Sequence, residues 1–489
     1  MAADSHEIVY RREQVQEQFA ALTRMVTGPD ARSATALEME SRLFRALLDL
    51  GRQLLILFFA TRAAVRPKTP VAADGTLLEA CRQRPKTYLS VFGKIGFERH
   101  RFFARGKDAV SPLDAELSLP ERCYSALLRD WAGHELAEAP YDSGIQVLER
   151  ILNLRLSKNA LEIMVGEDSR EVDAFYEEKP LPAKEKEGPI LVALADGAGV
   201  RLVETGPSEL TGHQTSKREA IVTGVYSIQP YRRSPEAVVE ALLHKPGQDE
   251  SEAPRLRRVR PKPIGKELRA TLDGKAAAIG RLSQRVQRRD SPHIQHRVAI
   301  SDGSEALREH LAAALPGFTH VLDIIHVLDY LREAVKALNG GWTSARSEDD
   351  LRKQLEALLA GKTQAVIDEL LARADARGLE AHRRKPVDDA VRYFSNHAQS
   401  MRYDLYLARG WPIGSGVIEG ACKHVVRGRL DGSGMKWTRA GAQAMLQLRT
   451  VRINGDWDSY QRFLRHRQHL DLYGENAAPQ PPELQALAA

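Results

Sequence analysis

The stretch RVAISDGSEALREHLAAALPGFTHVLDIIHVLDY, residues 297–330, decides the fold class. It opens with a short apolar run, Val298-Ala299-Ile300, that stops at Ser301-Asp302-Gly303. Short apolar runs closed by turn residues read as buried strands, so Asp302 stands where a strand ends. A helical pattern follows, with Ala306, Leu307, His310, Leu311 and Leu315 along one side. A second apolar run, from Thr319 to Ile325, carries Asp323 and His326 into another helix. Strand, helix, strand, helix is the order of an open α/β sheet, and such sheets bind ligands outside their strand ends.

A second copy of the signature lies upstream. Pro189-Ile190-Leu191-Val192-Ala193-Leu194-Ala195 is a continuous apolar run that ends in Asp196-Gly197. An Asp-Gly pair is in most places simply a turn. Two of them, each closing a buried-type strand, raise a second reading: two carboxylates carried to one edge of a sheet. Val200–Val203 and Ala220–Tyr226 read as further strands, which with the run up to Ala195 would form a meander. Residues 234–290 then interrupt the sheet. Their later part, 255–289, is dense in Lys and Arg, and Arg257, Arg258 and Arg260 make it a candidate phosphate contact.

Composition bounds the rest. The 489 residues are enough for several domains and a full core. Lys and Arg number 71 against 65 Asp and Glu, a net +6. That mild basic tilt suits a polyanionic partner. Cys81, Cys123 and Cys422 have no close spacing, so neither a zinc finger nor a disulfide framework is expected. No signal peptide is visible, and the most apolar run, Leu54 to Ala60, is too short to span a bilayer. A cytoplasmic protein with no membrane partner is the expectation.

The N-terminal region reads as mostly helical. Leu43, Leu47, Leu48, Leu54, Leu55 and Phe58 recur at near-helical spacing, a core or dimer stripe. Ile95, Phe97, Arg99, Arg101 and Phe103 alternate as in a hairpin strand. Residues 143–165 have a helix-turn-helix outline, with Ser157 capping the second helix. Residues 336–404 carry helical patterns only.

A third acid follows this helical stretch. In the run Trp411-Pro412-Ile413-Gly414-Ser415-Gly416-Val417-Ile418-Glu419-Gly420-Ala421-Cys422-Lys423, Ser415 is a plausible N-cap. Glu419, Lys423 and Arg427 step by four and would share one helical face. The bland reading is an i,i+4 ion pair. The functional one is a carboxylate packed against the sheet, flanked by cations that meet a phosphate backbone. Arg429, Lys436, Trp437 and Arg439 continue the basic character. Phosphodiester cleavage at neutral pH is served by two Mg²⁺ ions about 3.5–4 Å apart. Mg²⁺ prefers oxygen ligands and keeps several waters, so a few carboxylates suffice.

The Asp196, Asp302 and Glu419 layout resembles the DDE-type transposases of bacterial insertion sequences, in their Mutator-like branch. The stretch PIGSGVIEGACKHVVRGRLDGSGMKW, with GAQAMLQLR after it, resembles the ISKra-type group. That branch has Asp or Cys, two residues, then His between the second Asp and the Glu, and Asp323-Ile324-Ile325-His326 fits. The resemblance covers roughly residues 189–457, and more loosely 88–175. It implies an α/β RNase H-like catalytic core with a mixed sheet, an all-α insertion before the Glu and a mostly helical N-terminal region.

The expected segments are 1–70, helical; 71–180, hairpin plus helical DNA-binding region; 186–335, first part of the core; 336–404, all-α insertion; 405–460, core helices with the catalytic Glu; and 461–489, a tail. Function then reads as metal-dependent cleavage and joining of double-stranded DNA at the ends of a mobile element. Asp196, Asp302 and Glu419 would bind Mg²⁺ or Mn²⁺, with Asp323 and His326 lining the cleft. Lys423, Arg427 and the three arginines would lie on DNA, and the chain would work as a homo-oligomer there. Two alternatives stay open: a nuclease or resolvase that cuts without joining, and a regulator that binds DNA without catalysis.

Overall fold

A computed structural model describes residues 2–72, 74–203, 215–243, 260–341, 345–414, 416–432 and 435–474. The chain divides into two units, Met1–Phe175 with Asp456–Ala489, and Tyr176–Gly455.

In the first unit, helix Ala2–Thr27 packs against helix Ala36–Ala63. The second of these starts at a capping box: Thr35 Oγ1 accepts the Glu38 N–H, and Glu38 accepts the Thr35 N–H. Strands β1 (Ala80–Ser90) and β2 (Gly93–Phe103) form an antiparallel hairpin. Ile95 and Phe97 turn inward onto Phe59, whose ring stacks on Phe97 at 4.3 Å. Arg99, on the same face as Ile95 and Phe97, is buried: its Nε donates to Asp114 at 2.6 Å. Helices Tyr141–Leu152 and Lys158–Asp168 form the expected pair, with Asn153 left-handed at the joint and Ser157 capping. The acid at the end of that pair is structural, since Arg129 holds buried Asp168 at 2.6 Å. The polar stretch from 461, expected to be a tail, belongs to helix Trp457–Tyr473 as far as Tyr473. Trp457, Tyr460 and Leu464 bury that helix's inner side.

The second unit holds a mixed five-stranded sheet in the order β5-β4-β3-β6-β7. Its strands are β3 (Ile190–Val203), β4 (Thr215–Ile228), β5 (Ile264–Thr271), β6 (His296–Ser301) and β7 (Thr319–Leu322). β3 pairs antiparallel with β4 and parallel with β6, and β6 pairs parallel with β7. Leu191, Ala193 and Ala195 point to one face, beneath Ile279, Leu282 and Val286 of helix Lys275–Arg289 and Leu307 and Leu311 of helix Glu305–Ala314. Side chains alternate along a strand, so Val192, Leu194 and Asp196 face the other side. There lie helix Gly416–Ala421, its continuation, and helix Arg439–Ile453. A sheet covered on both faces explains the unbroken apolar run of β3.

Two strand readings change. Asp196-Gly197 is not a strand end: β3 runs on through it to Val203, paired with β4 throughout. Gly197 and Gly199 keep extended backbone there, where a Cβ would strike the Glu219 and Lys217 side chains of β4. So the meander reduces to one long hairpin. Residues 234–290 do not simply interrupt the sheet either, because β5 lies within them as an edge strand. From Ile324 to Ala408 the described residues hold helices and no strand.

Candidate functional site

β3 and β6 lie parallel in register, with Leu194 opposite Ile300. Neighbouring strands are about 4.8 Å apart. Two residues further along each chain stand Asp196 and Asp302, on the face of Leu194 and Ile300. The pairing of β3 with β6 stops just before them, which opens the sheet between the two carboxylates. Asp302 is at a true turn: its Oδ1 accepts the Ser304 N–H at 3.0 Å, and Gly303 is left-handed at φ 81°. Both aspartates are half-buried.

Asp196 Oδ1 accepts the N–H of Gly197 at 2.7 Å, and the buried Cys422 thiol donates to the same carboxylate. Burial, aided by the like charge of Asp302, pushes the Asp196 carboxyl above its ordinary range, against the pull of Cys422, Gly197 and His326. Burial and Asp196 together push the Cys422 thiol up, so it stays protonated and donates. Among the described residues, no lysine or arginine is ion-paired with Asp196 or Asp302.

The Asp323 and His326 pair separates into two roles. Asp323 is buried as the N-cap of helix Ile324–Asn339: its Oδ1 accepts the Ile325 N–H at 3.0 Å and its own N–H donates to Ser301 O at 3.1 Å. It fastens the helix start to the end of β6. His326 sits in the first turn, half-buried and within electrostatic reach of Asp196.

Glu419 lies in helix Gly416–Ala421, which packs on β3 and β4. Its side chain, and Ser415 as the expected cap, lie outside the described residues. Residues Cys422–Arg427 then form a π-helical turn. A π turn loosens the backbone ladder, and here Arg449 Nε donates to the carbonyls of His424 and Val425 at 3.0 Å. The wide turn exposes Lys423 and Arg427 together while Cys422, Val425 and Val426 go inward. Lys423 and Arg427 are thus both exposed, while Cys422 goes inward to Asp196.

A brace from the helical stretch 324–408 holds the Asp302 turn from behind. Tyr393 Oη donates to Asp302 O at 2.8 Å. His397 Nε2 bonds Gly303 O at 2.9 Å. Tyr330 stacks on the Tyr393 ring at 4.1 Å. His320 bridges Ser301 Oγ at 2.8 Å and Ser400 Oγ at 3.1 Å, and burial, with nearby Arg308 and His397, takes its pKa down to about 4. None of Cys422, Tyr393, His397, His320 or Arg449 stood out from the sequence. Only Cys422 and Arg449, inside the two stretches quoted for the resemblance, carried any signal.

Several arginines of the basic run are paired with acids of the same unit. Arg257 and Arg258 lie outside the described residues, and Arg260 is exposed. Arg285 pairs with Glu267 at 3.3 Å, and burial lowers its pKa to about 10. Arg289 pairs with Glu187 at 2.7 Å, and Arg281 with Asp273 at 2.8 Å. Arg429 is buried 4.9 Å over the Trp437 ring, and Arg439 donates to Leu272 O. Arg260, Lys423 and Arg427 are exposed, as are Lys262, Lys266, Lys436 and Arg439.

Among the described residues no group of three or more His, Cys, Asp and Glu side chains is gathered as a metal cage. No helix among them is long and apolar enough to cross a membrane. No family model and no curated protein matches this sequence. Among solved structures, a Drosophila P element transposase strand transfer complex is similar at 10% identity and a TM-score of 0.25, over 71% of this chain and 84% of that one. A likeness that loose carries no weight for this chain.

Proposed function

We propose that this chain is a DDE-type transposase with an RNase H-like core, of the Mutator-like, ISKra-type kind that its sequence resembles. One observation carries the reading: Asp196 and Asp302 stand side by side at the open edge of β3 and β6, without a described basic partner, under the helix that bears Glu419. The donors fit Mg²⁺ or Mn²⁺, because they are hard carboxylate oxygens, and burial together with the like charge of Asp302, which push the Asp196 carboxyl up, are what a divalent cation relieves. Asp196, Asp302 and Glu419 would hold the ions. When bound, these activate the attacking oxygen and stabilise the leaving one.

The chain's own groups do the positioning. Cys422 fixes the Asp196 carboxylate, and Tyr393 and His397 fix the backbone that presents Asp302. Lys423 and Arg427 meet the phosphates of double-stranded DNA. His326 lines the cleft. Water, and then a freed 3′-OH, attacks phosphorus in line, breaking the bond to the departing 3′ oxygen.

The test is cleavage and joining of a labelled duplex carrying the DNA that flanks the gene, with Mg²⁺ or Mn²⁺. Asp196→Asn, Asp302→Asn and Glu419→Gln should each abolish both steps and leave duplex binding nearly unchanged. Cutting without joining by the wild type would favour the nuclease alternative. Binding without metal-dependent cutting would favour the regulator.

A further inference from the structure

We infer that a phosphate group binds between Arg233 and Arg409, beside Trp411, at the end of the sheet away from Asp196 and Asp302. β3 starts at Ile190, level with Ile228 at the end of β4 and His296 at the start of β6. Asp196 stands further along β3, about 20 Å away at some 3.3 Å per residue. Two turns meet at this far end, one following β4 and one following helix Tyr403–Ala408. Tyr231 N–H donates to Gly410 O at 2.9 Å, and a Cβ on Gly410 would stand 2.6 Å from Tyr231 N. That close approach gathers two arginines around one residue. Arg233 Nη2 donates to Trp411 O at 3.3 Å, and Arg409 lies 5.1 Å over the Trp411 ring.

The cluster is rich in donors and cations and poor in acceptors. Arg233 is half-buried, yet its Nε has no acceptor among the described residues. Nor has Nε1 of Trp411, a side chain only 2% exposed. Buried donors are seldom left so. No described carboxylate pairs with Arg233 or Arg409; Asp404, on the helix before the second turn, faces Arg402 instead, at 3.9 Å. Burial and the charge of Arg260 push the Arg233 guanidinium below its ordinary range. Burial and Arg409 likewise pull down the pKa of half-buried His296, whose ring is 5.2 Å from that of Trp411. Arg233 is thus a held cation among other cations. A planar guanidinium presents paired N–H donors that match the oxygens of a phosphate, and a doubly charged anion offsets both arginines.

This inference does not depend on the chain cutting DNA. Melting of the full chain is followed as sodium phosphate replaces sodium chloride at constant ionic strength. The wild-type melting temperature should rise with phosphate and saturate. Exposed Arg409→Gln should melt as the wild type does in chloride and weaken phosphate binding at least tenfold. Arg233→Gln should melt no lower than the wild type in chloride, because it removes an uncompensated charge, and should lose the phosphate response. If that variant misfolds, Arg409→Gln still decides. Adenosine monophosphate and a short DNA duplex, each set against inorganic phosphate, identify the source of the group: the one that binds tightest to the wild type should lose most in Arg409→Gln. A wild type indifferent to phosphate, or an Arg409→Gln chain that responds in full, would overturn the inference.

Discussion

Gly303→Ala tests how the Asp302 turn is held. Gly303 is buried and left-handed at φ 81°. A Cβ there would stand 2.8 Å from Leu322 Cδ1 and from Tyr393 Oη, and 3.1 Å from His397 Nε2. The left-handed backbone costs a side-chain-bearing residue about 1–2 kcal/mol, and overpacking adds about 1–3 kcal/mol. The total is about 2–5 kcal/mol, or a melting shift of roughly 4–10 °C for a unit of this size. Gly317→Ala is the matched control, since Gly317 is left-handed at φ 85° with nothing within 4 Å of its Cβ. It should cost about 1 kcal/mol. Calorimetry on both variants gives the comparison, and duplex cleavage should fall only in Gly303→Ala, because the brace and Asp302 move together. Equal melting shifts, or equal cleavage, would refute a turn clamped by Tyr393 and His397.

Other expectations follow from the same geometry. His320 is held neutral, its folded pKa near 4 below the ordinary 6.5, so the unfolded chain binds the extra proton as pH falls. Stability should be full above pH 6.5 and drop by on the order of 1–3 kcal/mol toward pH 4; in denaturant titrations His320→Gln should flatten that slope, and an unchanged slope would assign it elsewhere. Lys423→Ala with Arg427→Ala should lower the slope of log affinity against log salt by up to about 2, since each phosphate contact contributes about 0.9; an unaltered slope would take both cations off the DNA path. His326→Ala should cut cleavage on the order of tenfold with melting unchanged, because the ring lies half-buried near Asp196. Full activity would leave it a packing residue.

The sequence was most readable where local chemistry and tertiary pairing agree. Asp302-Gly303 is a turn in both, because a left-handed glycine and an aspartate accepting from two residues on are local facts. Asp196-Gly197 looks the same in sequence but lies within β3, because β4 pairs through it; partner strands override a local turn signal. β5 was hidden in a basic stretch for a similar reason, as Arg285 and Arg289 find acids on other elements. The spacing of Glu419, Lys423 and Arg427 suggested a plain α-helix, whereas the π turn depends on Arg449, over twenty residues on. The brace of Tyr393 and His397 on Asp302 spans some ninety residues, a separation that no periodicity reports.

Mn²⁺ binding followed by electron paramagnetic resonance addresses the carboxylate site most directly, because it needs no DNA substrate. The wild-type chain should quench the free Mn²⁺ signal, and Mg²⁺ should compete it back. Asp196→Asn and Asp302→Asn should each lose that binding while melting as the wild type does, since these half-buried acids have no described basic partner to strand. Wild-type Mn²⁺ binding that survives both substitutions, or no binding at all, would contradict a metal site between β3 and β6.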